Sequence, residues 1–306
     1  MVDFRGLETL VWVASLGSFR KAAEKLSATQ PAISHRITQL EDQVGAKLLV
    51  RDGRHAAPTA HGRIMLSYAE KMLALRAEML SQIRDKSAVR GVVRLGAAES
   101  IVQTWLPDFI KKVSEVYPQL SIEIEVDISL NLQAMLLNQE IDIAFLQGAV
   151  SAPRACNRLL CEYPIGFIAK SDLKLPKTVT ISDIASYPII TFSRKTQPYE
   201  VVKSLFNHSS FSRVKIHASA SMATAIKMAL DGMGVAVIPI DLVFNEISDG
   251  KLKVLECDAS IPSLSFFASW LDAPENYEVA LVGEIAFTVA SQWQKSRMAE
   301  SDFRTA

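Results

Sequence analysis

The sequence predicts an α/β protein whose first third is mainly helical and whose remainder is a two-lobed α/β body. Three observations support this fold class. Apolar residues recur at helical spacing over about the first ninety residues, a long segment at residues 59–87 keeps that spacing without proline, and strand-like and helix-like segments then alternate. The chain has 306 residues, of which 49% are hydrophobic and 22% are charged. This composition is typical of a folded protein with two or three compact units.

Short signals predict three helices before Gly45. The first helix ends at Gly17, and Ser18 caps the second. Thr29 can cap a third helix, and Pro31 falls in its first turn, where the missing N–H group does no harm. Gly45 closes this third helix. Two such helices, joined by a short turn and preceded by a packing helix, predict a helix-turn-helix.

The third helix is predicted to have one buried side and one polar side. Ile33, Ile37 and Leu40 repeat at intervals of four and three residues, which indicates a buried face. Hydrogen-bonding side chains occupy the N-terminal half of the opposite side, the part of a second helix that enters a major groove. Glutamine suits a bidentate contact with adenine, whereas arginines here are better placed for phosphates or a groove edge. The candidate DNA-binding residues are Thr29, Gln30, Pro31, Ser34, His35, Arg36, Thr38, Arg51 and Arg54.

The segment KLLVRDGRHAAPT predicts a short β-hairpin, the wing of a winged helix-turn-helix. Leu48 and Val50 alternate along it, and Asp52-Gly53 is a turn signal. A plain surface hairpin is the alternative interpretation of the same residues.

A long linker helix is predicted from about Thr59 to Ser87, and at ~1.5 Å per residue it spans roughly 40 Å. Its apolar residues recur every three or four positions, as in a heptad seam. We expect two copies of the chain to pair through this seam, because helix-turn-helix dimers match two-fold DNA sequences. Packing against the chain's own domain is the alternative. The candidate dimerisation residues are Met65, Tyr68, Met72, Leu75 and Met79.

The body begins near residue 91 and alternates strands with helices in two halves, which predicts parallel pairing. A helix is expected at residues 102–116 and a last helix at about 276–295, packing back on the first half. Strands near PIGFIAK and LSFFASW cross between the halves, so the body resembles a periplasmic-binding-protein architecture with a cleft at the hinge. The predicted domains are residues 1–58, a linker helix and hinge at 59–90, and the body at 91–306, with lobe I at about 91–163 plus 268–306 and lobe II at about 164–267.

Charge is distributed unevenly along the chain. Residues 1–90 contain 14 Lys and Arg against 9 Asp and Glu, a balance of +5, and the remainder carries −5 because the whole chain has 33 of each. A basic front part suits a polyanion partner, although chance asymmetry between domains explains it equally well. No apolar run reaches the roughly 20 residues of a membrane span, and no secretory signal is visible. The three cysteines do not resemble a disulfide framework, so we expect a reducing, cytoplasmic location.

The N-terminal stretch FRKAAEKLSATQPAISHRITQLEDQVGAKLLVRDGRHAAPTAHG resembles the LysR-type transcriptional regulators. The resemblance extends from Phe4 to about Ser87 through the patterns A-A-x-x-L, x-Q-P-A-x-S and L-E-x-x-x-G-x-x-L. The body matches more loosely, through Leu106-Pro107, Tyr117-Pro118 and GMGVAVIP. One departure is Ala57-Pro58-Thr59-Ala60-His61-Gly62, where family wings often end in L-T-x-A-G.

The resemblance implies a winged helix-turn-helix, a dimerising linker helix and a two-lobed effector domain that binds a small molecule. Family members are commonly tetramers built from pairs of dimers, so homodimer and homotetramer both stay open. The implied partners are double-stranded promoter or operator DNA, a small-molecule effector and a second copy of the chain, with RNA polymerase as a further candidate and no membrane.

The effector site is expected at the carboxyl ends of the strands of the body, where open α/β sheets bind ligands. Ser100 and Ser221 look like helix starts, whose free N–H groups favour an anion. We therefore expect a small organic acid with an apolar portion near Ile101, Phe192 or Met222, while the alternative is that these serines are only helix caps. The candidate effector-binding residues are Glu99, Ser100, Ile101, Ser129, Gln147, Ser193, Thr196, Gln197, Ser219 and Met222.

Other functions fit the sequence less well. A regulator that responds to oxidation through Cys156 and Cys161 is one alternative, and a DNA-binding protein without an effector is another. A solute-binding protein of a transporter explains the body but not the helical front. No enzyme activity, metal or cofactor is expected, because the histidines lack metal-ligand spacing and no nucleophile elbow or phosphate-binding glycine motif occurs.

Overall fold

The computed structural model describes residues 2–52, 55–83, 89–176, 178–207, 214–272 and 277–305. The described residues fall into two compact units. The first comprises those of residues 1–85 with Asp272 and Tyr277, and the second those of residues 86–271 and 278–306.

The first unit is a helical bundle followed by a hairpin and a long helix. Its elements are α1 (Phe4–Leu16), α2 (Phe19–Lys25), α3 (Gln30–Val44), β1 (Leu49–Asp52), β2 (His55–Pro58) and α4 (Ala60–Ile83). The hydroxyls of Ser18 and Thr29 accept hydrogen bonds from the first turns of α2 and α3. Gly17 and Gly45 end α1 and α3 in the left-handed conformation, which glycine adopts without strain. These four predicted helix boundaries are confirmed.

The hairpin is confirmed, and its first strand starts later than expected. β1 and β2 are antiparallel, and Asp52 lies opposite His55. The sequence suggests that Leu48 and Val50 alternate within the strand, but β1 begins at Leu49. Leu48 and Leu49 are both buried, whereas Val50 is 49% exposed. Two consecutive apolar side chains thus pack into the core of the first unit before the strand moves away from it.

The second unit contains two mixed sheets. Its helices are α5 (Glu99–Val102), α6 (Leu106–Val116), α7 (Ser129–Leu137), α8 (Ile181–Ile184), α9 (Gln197–Leu205), α10 (Met222–Leu230), α11 (Phe244–Ser248) and α12 (Tyr277–Thr305), and its strands are β3 (Arg90–Ala97), β4 (Gln119–Val126), β5 (Ile143–Gln147), β6 (Ala155–Tyr163), β7 (Ile165–Lys170), β8 (Thr178–Val179), β9 (Ile189–Phe192), β10 (Ile216–Ser219), β11 (Val235–Pro239), β12 (Leu252–Cys257) and β13 (Leu264–Leu271). Lobe I has the strand order β4-β3-β5-β13-β6, and lobe II has β10-β9-β11-β7-β12-β8.

Parallel pairing is confirmed for part of each sheet. β3 pairs in parallel with β4 and β5, β9 with β10 and β11, and β8 with β12. In contrast, β7 and β13 run antiparallel to their neighbours. Both arrive directly from the other lobe, so no crossover helix imposes a parallel direction.

Two predicted boundaries inside the body are corrected by the structure. The helix expected at residues 102–116 begins only at Leu106, as α6, and Val102 ends the separate short helix α5. Pro107 lies in the first turn of α6, where a helix can start but not continue. The second lobe crossing was expected at about residue 268, inside a strand. All of β13 instead pairs with β6 in lobe I, starting from Leu264 opposite Tyr163, so the crossing precedes Leu264.

The last helix packs on lobe I as expected, but it is longer than predicted. Val282, Ala286 and Ala290 of α12 are buried in the core of the second unit. The ring of Trp293 lies 5.1 Å from that of Tyr163, at the end of β6. α12 therefore closes one face of the lobe I sheet.

Candidate DNA-binding surface and effector cavity

The first candidate site is the N-terminal half of α3. Ile33, Ile37 and Leu40 are buried in the core of the first unit. Their burial determines which side of α3 is exposed. The exposed residues at the start of the helix and along its outer side are Thr29, Gln30, Pro31, His35 and Thr38, while Ser34 and Arg36 are half-buried. The structure therefore leaves the predicted polar residues of α3 accessible to a partner.

Two of the predicted DNA-binding arginines were expected on the wing, which the structure describes only in part. Arg51 belongs to β1 and its backbone pairs with Ala56, but its side chain is outside the described part of the structure. Arg54 lies outside the described residues altogether.

The wing is joined to α3 by one carboxylate, which the sequence analysis did not single out. Glu41 points away from the exposed face of α3 and its carboxylate accepts hydrogen bonds from the backbone N–H groups of Leu48 and Leu49. Lys47 donates to its other oxygen at 2.6 Å. Burial by itself raises the pKa of Glu41, but the bonds from Lys47, Leu48 and Leu49 outweigh that effect and hold the pKa below its ordinary value.

Helix α4 presents apolar residues on two sides. Ala69 and Leu73 are buried in the core of the first unit, and Met65 packs against the same core. Met65 thus faces its own domain, which corrects its assignment to the intermolecular seam. Ile64 instead takes the exposed place that the sequence analysis assigned to Met65. Among the α4 side chains that the structure describes, the exposed large apolar ones are Ile64, Tyr68, Met72, Leu75 and Met79, which we call the outer row.

The second candidate site is a cavity of about 270 Å³ between the two lobes of the second unit. Its volume suits a small metabolite rather than a larger ligand. Most of it is lined by the carboxyl ends of strands and the starts of the following helices, as the strand-end rule predicts. The lining residues are Ala98, Glu99, Ser100, Val126, Asp127, Ile128, Ser129, Gln147, Phe192, Ser193, Thr196, Pro198, Ser219, Ala220, Ser221, Met222, Leu264 and Phe266.

Most of the predicted effector-binding residues meet at this cavity, and two do not line it. Ile101 is fully buried in the core, so it does not face the cavity. Gln197 lies beside the cavity and accepts a hydrogen bond from Gln147 Nε2 at 3.2 Å. Ser100 lines the cavity but does not begin a helix as expected, because Ala98 occupies the cap position of the four-residue helix α5.

The N-terminus of α10 already holds a carboxylate. Ser221 caps this helix as predicted, since its hydroxyl accepts a hydrogen bond from Thr224 N–H. Glu99 Oε2 accepts a bond of 2.7 Å from the N–H group of Met222, and Oε1 accepts one of 3.1 Å from that of Ala223. The Ser221 hydroxyl donates to Glu99 Oε1 at 3.1 Å. Glu99 belongs to lobe I and α10 to lobe II, so these bonds cross the cleft.

The sequence analysis missed several residues of the cavity, among them Asp127, Leu264 and Phe266. Asp127 follows the carboxyl end of β4, so the strand-end rule could have identified it. Leu264 and Phe266 belong to β13, an antiparallel strand that enters lobe I from the other lobe. The rule applies to parallel strands and gave no signal for them. Among the described residues of the lining, Glu99 and Asp127 are the ionisable ones.

The positions of the two cysteines do not favour the oxidation response considered from the sequence. Cys156 and Cys161 lie on the same strand, β6, five positions apart. At ~3.3 Å per residue their Cα atoms are roughly 16 Å apart, beyond the reach of a disulfide. Burial raises the pKa of the Cys161 thiol to about 12, which leaves almost no reactive thiolate at neutral pH.

Two features of the described ranges bear on other functions. No group of three or more His, Cys, Asp or Glu side chains there could hold a metal ion. Among the same residues, no helix combines the length and the apolar character needed to cross a bilayer.

An N-terminal and a C-terminal segment of the chain each match a known protein family. Residues 4–63 match the bacterial regulatory helix-turn-helix proteins of the lysR family, and residues 86–276 match the LysR substrate binding domain. The HTH-type transcriptional regulator GltR of Bacillus subtilis is 22% identical over 247 residues, which cover 81% of this chain and 83% of that protein. A probable RuBisCO transcriptional regulator of Nostoc sp. is 27% identical over 267 residues, which cover 83% of this chain and 78% of that protein.

Solved structures show the same fold at low sequence identity. Full-length LysG from Corynebacterium glutamicum with bound effector Arg is 19% identical, with a TM-score of 0.59 and coverage of 95% of this chain and 99% of that chain. ArgP from Mycobacterium tuberculosis is 22% identical, with a TM-score of 0.58 and coverage of 95% and 98%. The chain therefore belongs to the LysR-type transcriptional regulators, with an N-terminal helix-turn-helix DNA-binding domain and a C-terminal substrate-binding domain.

Proposed function

We propose that this regulator reads promoter DNA with the N-terminal half of α3 and that a small organic acid bound between the two lobes alters its action on the promoter. The DNA-reading part of this proposal is supported by the exposed side chains of Gln30, His35 and Thr38. They lie on the side of α3 opposite the buried Ile33 and Ile37. Side chains of this kind hydrogen-bond to base edges in the major groove, whereas Arg36, Arg51 and Arg54 bind phosphates. A regulator of promoter DNA acts in the cytoplasm, where RNA polymerase is its further partner.

The effector is proposed to bind in the inter-lobe cavity. Ser100 and Ser193 line the cavity, and their hydroxyl groups can donate to a carboxylate without adding charge. Phe192 and Phe266 provide the apolar surface for the rest of the molecule. The N-terminus of α10 supports the acid class, because it already receives one carboxylate, that of Glu99.

Self-association is proposed to occur through the outer row of α4. Tyr68, Met72, Leu75 and Met79 expose apolar side chains along one side of this helix. An identical row on a second copy would cover them and hold two α3 helices at a fixed spacing, which suits a two-fold operator. Further pairing of dimers into a tetramer would let a bound effector shift the relative placement of dimers on a promoter, through its differential affinity for two arrangements.

Selection of bound duplexes from a random DNA pool tests the DNA-reading role. We expect the full chain to enrich two half-sites related by two-fold symmetry and separated by about one helical turn or a multiple of it. Genome-wide mapping of bound DNA in the native host would then point to regulated genes and to the inducing acid. Enrichment of no sequence, with binding that depends on salt alone, would refute the proposal.

A further inference from the structure

The two lobes of the second unit are connected across the cavity by the side chain of Glu99. The carboxylate lies at the start of α5 in lobe I and receives three hydrogen bonds from the start of α10 in lobe II, at 2.7–3.1 Å. We call this set of bonds, from Ser221 Oγ, Met222 N and Ala223 N to Glu99, the Glu99 latch. Gln103 Nε2, on the same lobe as Glu99, donates a further bond of 2.8 Å that orients the carboxylate.

The latch uses the donors that α10 offers to an anion. A helix leaves its first N–H groups without intrahelical partners, and its dipole makes them favourable for negative charge. In α10, the Thr224 N–H group is satisfied by Ser221, and those of Met222 and Ala223 are satisfied by Glu99. A second carboxylate therefore cannot bind to these groups while Glu99 is in place.

Other polar contacts around the cavity differ from the latch. Gln147 and Gln197 also connect the lobes, but through an uncharged bond of 3.2 Å at an exposed position. Asp127 is the other ionisable residue of the cavity, and its hydrogen bonds come from Ile128 N and Asn131 Nδ2 in its own lobe. Among the described residues lining the cavity, Glu99 is thus the ionisable side chain that bonds to the opposite lobe.

We propose that Glu99 acts as a built-in competitor of the effector: it holds the lobes together in the effector-free protein, and an acidic effector displaces it from α10. The proposal rests on the organic-acid function proposed above and adds how that site is regulated. Effector binding then exchanges one carboxylate for another at α10, and it frees Glu99 from lobe II. The structural change that follows effector binding is therefore the loss of the bonds between the lobes, and not only the filling of the cavity.

Amide hydrogen exchange tests the latch without any ligand. In the full chain, Glu99→Ala should speed exchange at Met222 and Ala223 by roughly ten- to a hundred-fold, the range expected for loss of hydrogen bonds to a charged group. Glu99→Gln should give a smaller increase, since a neutral amide oxygen accepts more weakly. The matched control is Asp127→Asn, which removes a charge from the same cavity but no inter-lobe bond, and it should leave both amides unchanged. Unchanged exchange in Glu99→Ala would overturn the latch.

Competition is tested with three probes of similar shape and different charge, namely butyrate, butanol and butylamine, titrated by calorimetry. Because Glu99 reduces the fraction of molecules with free α10 donors, Glu99→Ala should bind butyrate about tenfold or more tightly than the wild type. Glu99→Ala and the wild type should bind butanol with equal affinity. The gain in butyrate affinity in Asp127→Asn should be much smaller than that in Glu99→Ala.

Three results would contradict competition by Glu99. They are equal butyrate affinities in the wild type and Glu99→Ala, an equal gain in Asp127→Asn, and binding of butylamine that Glu99→Ala abolishes. Absence of butyrate binding to every variant would also overturn displacement by an acid. None of these measurements uses DNA, so a failure of the DNA-reading role is detected separately by the selection experiment.

Discussion

The Oε1 atom of Glu41 on α3 lies 2.9 Å from the backbone nitrogen of Leu48, where the chain turns towards the wing. The same oxygen lies 3.2 Å from the nitrogen of Leu49. The side chain of Glu41 is only 7% exposed, whereas that of its ion-pair partner Lys47 is 74% exposed. The stabilising part of this arrangement is therefore the pair of buried backbone bonds, since an exposed ammonium contributes little.

Glu41→Ala should destabilise the first unit by about 1–3 kcal/mol for each buried N–H group that it leaves without a partner. Hydrogen exchange at the Leu48 and Leu49 amides measures the loss directly. Glu24→Ala is the matched control, because Glu24 forms an exposed pair with Arg20. It should change the unfolding free energy by less than about 1 kcal/mol. Full protection of both amides in Glu41→Ala would contradict this role.

The lowered pKa of Glu41 makes the stability of the first unit depend on pH. Because the folded pKa lies below the ordinary value of 4.5, the contribution is fully present above that value. It is lost as the pH falls through the folded pKa. The unfolding free energy of the wild type should therefore decrease more steeply between about pH 6 and pH 3 than that of Glu41→Gln, which does not titrate there. Parallel pH curves for the two proteins would contradict the prediction.

Gly62→Ala should disrupt the contact between α4 and the segment before the wing. A Cβ atom at this position would lie 1.9 Å from the Leu48 carbonyl oxygen and 3.3 Å from Pro58 Cβ. Backbone must move to relieve the clash, so we expect a loss at or above the ~1–3 kcal/mol of ordinary overpacking. Thermal unfolding measures it, with Ser67→Ala at an exposed position of the same helix as control. An unchanged unfolding temperature in Gly62→Ala would refute the close approach.

Gln30→Ala should relax sequence discrimination by about 1–3 kcal/mol at one base pair of the operator, the value of one good side-chain contact to a base edge. Gln39→Ala is the matched control, since Gln39 is an exposed glutamine in the C-terminal half of the same helix. Selection from a randomised operator library measures both. Arg51→Ala should instead weaken binding to all sequences and lower the slope of affinity against salt by about one. Unchanged base preference in Gln30→Ala would show that the contacting face of α3 is wrongly chosen.

Leu75→Glu should weaken self-association of the chain. Leu75 is 66% exposed on the outer row of α4, so the substitution leaves the core of its own unit intact. A charge placed in an apolar intermolecular seam is costly, because it loses water without gaining a partner. Sedimentation velocity should show a shift towards monomer, while Ser67→Glu, at an exposed position of the same helix outside this row, should not shift it. Equal association of both variants would exclude this row as the interface.

Local signals predicted the first unit well. Caps at Ser18 and Thr29 and the glycines at 17 and 45 act within one helical turn, so they are readable from a short stretch of sequence. The spacing of Ile33, Ile37 and Leu40 determined the buried side of α3, and with it the exposed polar side. Met65 was assigned to the wrong side of α4 because this helix has two apolar rows, and periodicity cannot tell which row meets its own core.

The sequence by itself determined which residues could meet at the carboxyl ends of the strands, because that rule follows from the direction of the chain in parallel sheets. Only the tertiary structure decided that Glu99 bonds to Met222, 123 positions along the chain. A contact of that kind depends on how two lobes close on each other. Such closure is the sum of many weak, long-range contacts, and none of them leaves a periodic trace in the sequence.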